Sequence, residues 1–272
     1  MRALNPLWIV IAAMGFACTA PGQPFVVTVP DPEFRFVRRL DAIFDYRTAA
    51  ATVAEIFQRD LGFPAFPVSF RFHPGREAFE KALLDSGYDP ALAKSTARTM
   101  SAVGGYRAVL VNELSLDSMS WAGRVALFAH EMGHSLQYEL GGGRRGASDQ
   151  WLREGFADWL SIRVLERLDG TSISEVRHVR RRELSAARSR SPRLADLATF
   201  PQWVKAGEES GATPYALAFM AVDFLLEKHG PDAILDYFRR FASSSDRAAN
   251  FKAAFGQDLA SFEAALASRL WR

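Results

Sequence analysis

Cysteine is nearly absent from this chain. Cys18 is the single one in 272 residues, so no disulfide can form within the molecule. A dominant charge is missing as well: 33 Lys and Arg stand against 31 Asp and Glu, and an excess of two does not imply a polyanionic partner. Neither zinc-finger Cys/His spacing nor the aromatic signature of RNA-binding sheets occurs, so no nucleic acid partner is expected. No apolar run is long enough to span a bilayer comfortably, and no internal repeat appears. Aromatics, in contrast, are plentiful. With 21 Phe and 6 Trp, the chain has the apolar surface that disordered segments lack. A folded monomer is expected.

The first residues read as a targeting segment. Arg2 is the only early charge, and residues 4–17 form an apolar run broken by Asn5 and Pro6. That length suits the central region of a signal peptide, here residues 1–17, and implies export to a periplasm or cell envelope. Gly15 and Ala17 precede Cys18, which resembles the lipobox of bacterial lipoproteins, although Gly15 stands where that pattern usually has Leu. Cys18 is then either a lipid anchor or an incidental residue behind a plain secretion signal. Residues 18–32, rich in Pro, Thr and Gly, read as a tether, and residues 33–272 as a single domain.

Periodicity gives an α+β pattern, mostly helical, with a small N-terminal sheet ahead of a helical half. A helix is predicted over 34–61 and a half-buried strand over 67–73, where Val68, Phe70 and Phe72 alternate with Ser69, Arg71 and His73. A second strand is predicted over 106–114, with Gly104-Gly105 as its turn. Helices follow over 121–140, stopped by Gly141-Gly142-Gly143, and over 150–168, capped by Asp149. Further helices are expected over 174–188, 214–229, 231–242 and 259–271.

The 121–140 helix contains His130-Glu131-Met132-Gly133-His134. Histidines four apart share a helix face, so both imidazoles can reach one ion, and Zn2+ favours such nitrogen ligands. Glu131 sits beside them, where a general base for a metal-activated water belongs. A shuffled chain of this composition would produce the pattern on the order of once in two hundred sequences. A solvated surface helix would explain the histidines equally well, were they not surrounded by Val125, Leu127, Phe128, Ala129 and Met132.

A catalytic zinc site takes a third protein ligand and keeps one position open. Residues 135–140 hold no third histidine, which leaves a carboxylate. Glu154 lies in Trp151-Leu152-Arg153-Glu154-Gly155-Phe156-Ala157-Asp158, among bulky apolar residues. The bland alternative is an ion pair with Arg153 or another surface Arg. Asp158, one turn further along the same face, is suited to accept a ring N–H from a ligand histidine.

These two motifs together resemble the gluzincin branch of zinc metallopeptidases, in particular the peptidase MA-like proteins related to the M1 aminopeptidases. The resemblance implies His130, His134 and Glu154 as zinc ligands, Glu131 as the base, and a helical catalytic half like those of thermolysin and the M1 enzymes. It implies a peptide or protein substrate. In thermolysin-like enzymes the Glu-x-x-x-Asp spacing supplies a buttress for a ligand histidine, which maps onto Asp158. The resemblance extends more weakly to residues 213–219, where relatives place an oxyanion-stabilising Tyr, here Tyr215; the alternative is a Tyr packing at a helix start. The Gly-x-Met-Glu-Asn motif that holds a free amino terminus in M1 aminopeptidases is missing. Their large N-terminal β-domain cannot fit into the roughly 100 residues ahead of the zinc helix.

The expected activity is therefore zinc-dependent hydrolysis of peptide bonds. An inactive metallopeptidase-like module that binds zinc or peptide is the alternative. The strand over 107–114 is expected to form the cleft edge and to pair with an extended peptide. Seven arginines between Arg177 and Arg193 read as a solvated helix face or, more sharply, as a contact for anionic lipid or polymer.

Overall fold

A computed structural model of the chain describes residues 25–144 and 147–271. The expected signal peptide, Cys18 and residues 18–24 of the expected tether lie outside the described residues. The chain is mostly helical with one small mixed sheet, an α+β arrangement. It divides into two compact units, the first ending at Ser135 and the second starting at Leu136.

The first unit holds the sheet. Strand β1 (Phe25–Val29) is followed by helix α1 (Tyr46–Glu55), strand β2 (Val68–His73), helices α2 (Arg76–Asp85) and α3 (Pro90–Thr99), and strands β3 (Ala102–Gly105) and β4 (Ala108–Asn112). A one-turn helix α4 (Glu113–Leu116) precedes the long helix α5 (Trp121–Leu140). The strand order is β1-β2-β4-β3, with β2 and β4 parallel and the outer pairs antiparallel.

One face of this sheet is buried along β2 and β4, while the other is covered at β4, which explains how the strands read in sequence. On β2 the apolar alternation is clean: Val68, Phe70 and Phe72 are fully buried. The rings of Phe70 and Phe72 meet Phe128 of α5, with centroids 5.0 and 5.8 Å apart. On β4 the run Val109-Leu110-Val111 is buried throughout, because Leu110 turns to the opposite face and joins Phe79, Leu83, Ala93 and Ala97 of α2 and α3.

Three expectations are corrected here. Residues 25–29, assigned to a tether on composition, form β1, since Phe25-Val26-Val27-Thr28-Val29 supplies β-branched residues that pair with β2 from Phe25↔Phe72 to Val29↔Val68. The helix expected over 34–61 begins only at Tyr46, where the Asp45 side chain accepts from Thr48 N–H and fixes the N-terminus. Gly104-Gly105 is not a turn but the end of β3. The turn is Tyr106-Arg107, with Arg107 at φ 54°.

The second unit is helical. Helices α6 (Gln150–Arg167), α7 (Ile173–Ala186), α8 (Phe200–Ser210), α9 (Thr213–Arg240), α10 (Arg247–Phe255) and α11 (Leu259–Leu270) complete the chain. Gly230, at φ 77° and followed by Pro231, breaks α9 at the point where two helices were expected. Its core is aromatic: Trp151, Phe156, Tyr237, Phe238, Phe251 and Phe262 are at most 2% exposed. Helix α6 packs against α9 through Gly155, where a Cβ would stand 2.3 Å from the Ala218 carbonyl oxygen. Only glycine permits that approach.

The basic stretch is partly neutralised within this unit. Arg177 forms two 2.7 Å bonds to the buried Asp223 carboxylate, Arg180 pairs with Glu183, and Arg193 with Asp196. No helix among the described residues is long and apolar enough to cross a membrane.

Candidate metal centre

Helix α5 carries both histidines on one face, as a four-residue spacing requires. His130 Nε2 and His134 Nε2 are 3.1 Å apart, and their rings meet edge to face with centroids 4.7 Å apart. Two nitrogens bound tetrahedrally at 2.0–2.1 Å to one zinc ion are about 3.3 Å apart, so this separation fits a shared ion. His134 is 8% exposed and His130 is half-buried. Glu154, 8% exposed on α6, supplies the third group. One ligand atom from each of His130, His134 and Glu154 lies within 4.8 Å of the other two. Two neutral imidazoles and a carboxylate make a donor set suited to a divalent transition metal.

Glu131 is 7% exposed. Its Oε2 accepts from the backbone N–H of Gly104 at 2.5 Å, so β3 holds the carboxylate from the sheet side. The approach is close. A Cβ on Gly104 would stand 2.2 Å from the Glu131 carbonyl oxygen and 2.8 Å from His134 Cβ, so this strand residue must be glycine. A glycine inside a strand pattern often marks such a close backbone approach, a signal that the turn reading of Gly104-Gly105 conceals.

The cleft-edge assignment is also corrected. β4 is paired on both sides, by β2 and by β3, while β3 is the outer strand at that side of the sheet. A strand with both edges paired has no open ladder for a peptide. The expectation for 107–114 rested on its place just before the histidine-bearing helix, and position along the chain does not report which strand lies outermost.

On α6, Gln150 Nε2 donates to Glu154 Oε1 at 2.7 Å. This partner was not anticipated, although a spacing of four on a helix signals it. Asp149 stands at the N-cap of α6 as expected, but its side chain makes no cap bond. It accepts instead from the Tyr237 hydroxyl at 2.7 Å, while its backbone N–H donates to that same oxygen at 3.0 Å. Burial raises the Asp149 carboxyl above its usual range, against the opposing effects of the Tyr237 bond and Arg247. Burial also pushes the Tyr237 phenol up, so the phenol stays neutral.

Asp158 is half-buried on α6, one turn after Glu154. Tyr215 is half-buried in the first turn of α9, its ring edge-on to Trp203 with centroids 4.7 Å apart. Comparison with protein-family models, curated proteins and solved structures finds no match to this chain. What the described residues contain is a His/His/Glu group within metal-binding reach, with a buried glutamate next to the first histidine.

Proposed function

We propose that the protein is a zinc-dependent metallopeptidase of the gluzincin type. The observation that carries this reading is the gathering of His130, His134 and Glu154 ligand atoms within 4.8 Å of one another, with Glu131 adjacent on the helix that bears both histidines. Zinc in such a site supplies Lewis acidity, lowering the pKa of water and polarising a carbonyl.

The protein's own groups do the rest. Glu131 removes the proton from the attacking water and returns it to the leaving amine. The Gly104 N–H holds its Oε2 and so fixes the position of the carboxylate. Asp158 accepts a ring N–H from a ligand histidine, which sets the tautomer and raises its basicity. Tyr215 donates its phenol proton to the developing oxyanion, a contribution of about 3 kcal/mol by comparison with the loss of one such donor elsewhere. The outer position of β3 supports an extended peptide laid alongside it as substrate.

The test is a digest of a broad peptide library by the purified protein beside Glu131→Gln, with zinc content measured in both. The expected result is one zinc per chain in each and cleavage by the wild type alone. Equal cleavage by Glu131→Gln overturns the base assignment. Zinc binding without cleavage by either favours a peptide-binding or zinc-binding module.

A further inference from the structure

Gln150 is the first residue of α6, one turn before Glu154, and only 5% exposed. Its side-chain amide has a determined orientation. Arg153 Nη1 donates to Gln150 Oε1 at 3.1 Å, and a guanidinium can only donate. The amide oxygen therefore faces Arg153, and Nε2 faces Glu154 Oε1 at 2.7 Å.

The surroundings hold this arrangement at both ends. The Gln150 backbone N–H donates to the Ala198 carbonyl at 3.0 Å, and the buried Asp149–Tyr237 pair anchors the preceding residue. The Arg153 carbonyl accepts from Gln137 Nε2 at 2.9 Å. A carboxylate in so buried a place needs a donor for each oxygen, since water does not replace one freely. A neutral amide supplies that donor without cancelling the carboxylate charge, as an Arg or Lys in the same position would.

We propose that Gln150 is a positioning residue for Glu154. Its amide donates to one carboxylate oxygen and leaves the charge of the carboxylate intact for the metal ion. The inference rests on the metal reading of His130, His134 and Glu154.

The test measures zinc affinity by competition with a chelator, together with the visible spectrum of the cobalt-substituted protein. Gln150→Met keeps the length and helix preference of the side chain and removes the donor. Zinc affinity is expected to fall ten- to a hundred-fold, with an altered cobalt spectrum and little change in the unfolding midpoint of the metal-free protein. Arg153→Met, which frees the Gln150 amide to turn over, is expected to shift both readouts in the same direction by less. Wild-type affinity and spectrum in Gln150→Met, with metal lost in Glu154→Ala, overturns this inference alone. Wild-type affinity in Glu154→Ala overturns the ligand set, and the role of Gln150 with it. Should Gln150→Met fail to fold, an unchanged cobalt spectrum in Arg153→Met decides against the proposal.

Discussion

Gly104 and Glu131 are joined by a 2.5 Å hydrogen bond from the strand amide to the helix carboxylate. The bond exists because the glycine lets the outer strand approach the helix backbone within the space a single methyl group would fill. Gly104→Ala is expected to destabilise the protein by about 1–3 kcal/mol, the range for overpacking. It is also expected to reduce peptide turnover by displacing Glu131. Urea unfolding and peptide cleavage measured side by side check this; wild-type values in both would refute the close-packing account.

Gly155 makes the corresponding approach between α6 and α9. A methyl there would meet the Ala218 carbonyl oxygen at 2.3 Å and Val222 Cγ2 at 2.9 Å. Backbone in a packed helix yields little, so Gly155→Ala is expected to cost at least about 3 kcal/mol, the upper end of overpacking. Because Gly155 adjoins Glu154, metal affinity is expected to fall too. Calorimetric unfolding with and without zinc separates the two effects.

Metal removal is expected to lower stability in a concentration-dependent way. Zinc at a hundred times its dissociation constant adds about 2.7 kcal/mol through binding to the native state alone. A thermal unfolding series across zinc concentrations should show the rise in wild type, its reversal by a chelator, and no response in His134→Ala. A response of equal size in His134→Ala would remove that residue from the ligand set.

Asp149 gives a signature in pH. Its carboxyl is raised by burial in the folded protein. Above the ordinary carboxylate pKa the unfolded chain has already lost this proton while the native state retains it. Stability from this group therefore falls as pH rises from that value through the raised one. Asp149→Asn keeps an oxygen for the Tyr237 hydroxyl and removes the titration. Its stability relative to wild type is expected to increase with pH across that window and then level off. Urea unfolding in steps from pH 3.5 to about 7 checks the sign; a difference that shrinks with rising pH would contradict it.

Several features were legible in the sequence because they depend on local spacing. The α5 helix and its glycine stop, the α6 helix, the break at Gly230-Pro231 and the alternation on β2 all follow from periodicity and from the conformational limits of Gly and Pro. The β3–β4 hairpin was misread because Gly-Gly is a strong turn signal when its neighbours in space are unknown. Here its lack of side chains serves a helix that lies 27 residues further along the chain. The strand β1 was obscured by the Pro-rich residues around it, and its pairing with β2 is a long-range contact that composition does not report.

The sequence by itself determined that two histidines share one helix face with a glutamate between them, since a spacing of four on a helix leaves no other arrangement. It also nominated Glu154, through its apolar surroundings and the exhaustion of nearby histidines. Only the tertiary structure decided that one ligand atom each of His130, His134 and Glu154 lies within 4.8 Å of the others, that β3 rather than β4 is the outer strand, and that Gln150 and Gly104 donate to the two carboxylates. Those relations depend on how closely separate backbones approach and on where buried oxygens find donors, and neither is encoded in the spacing of residues along one element.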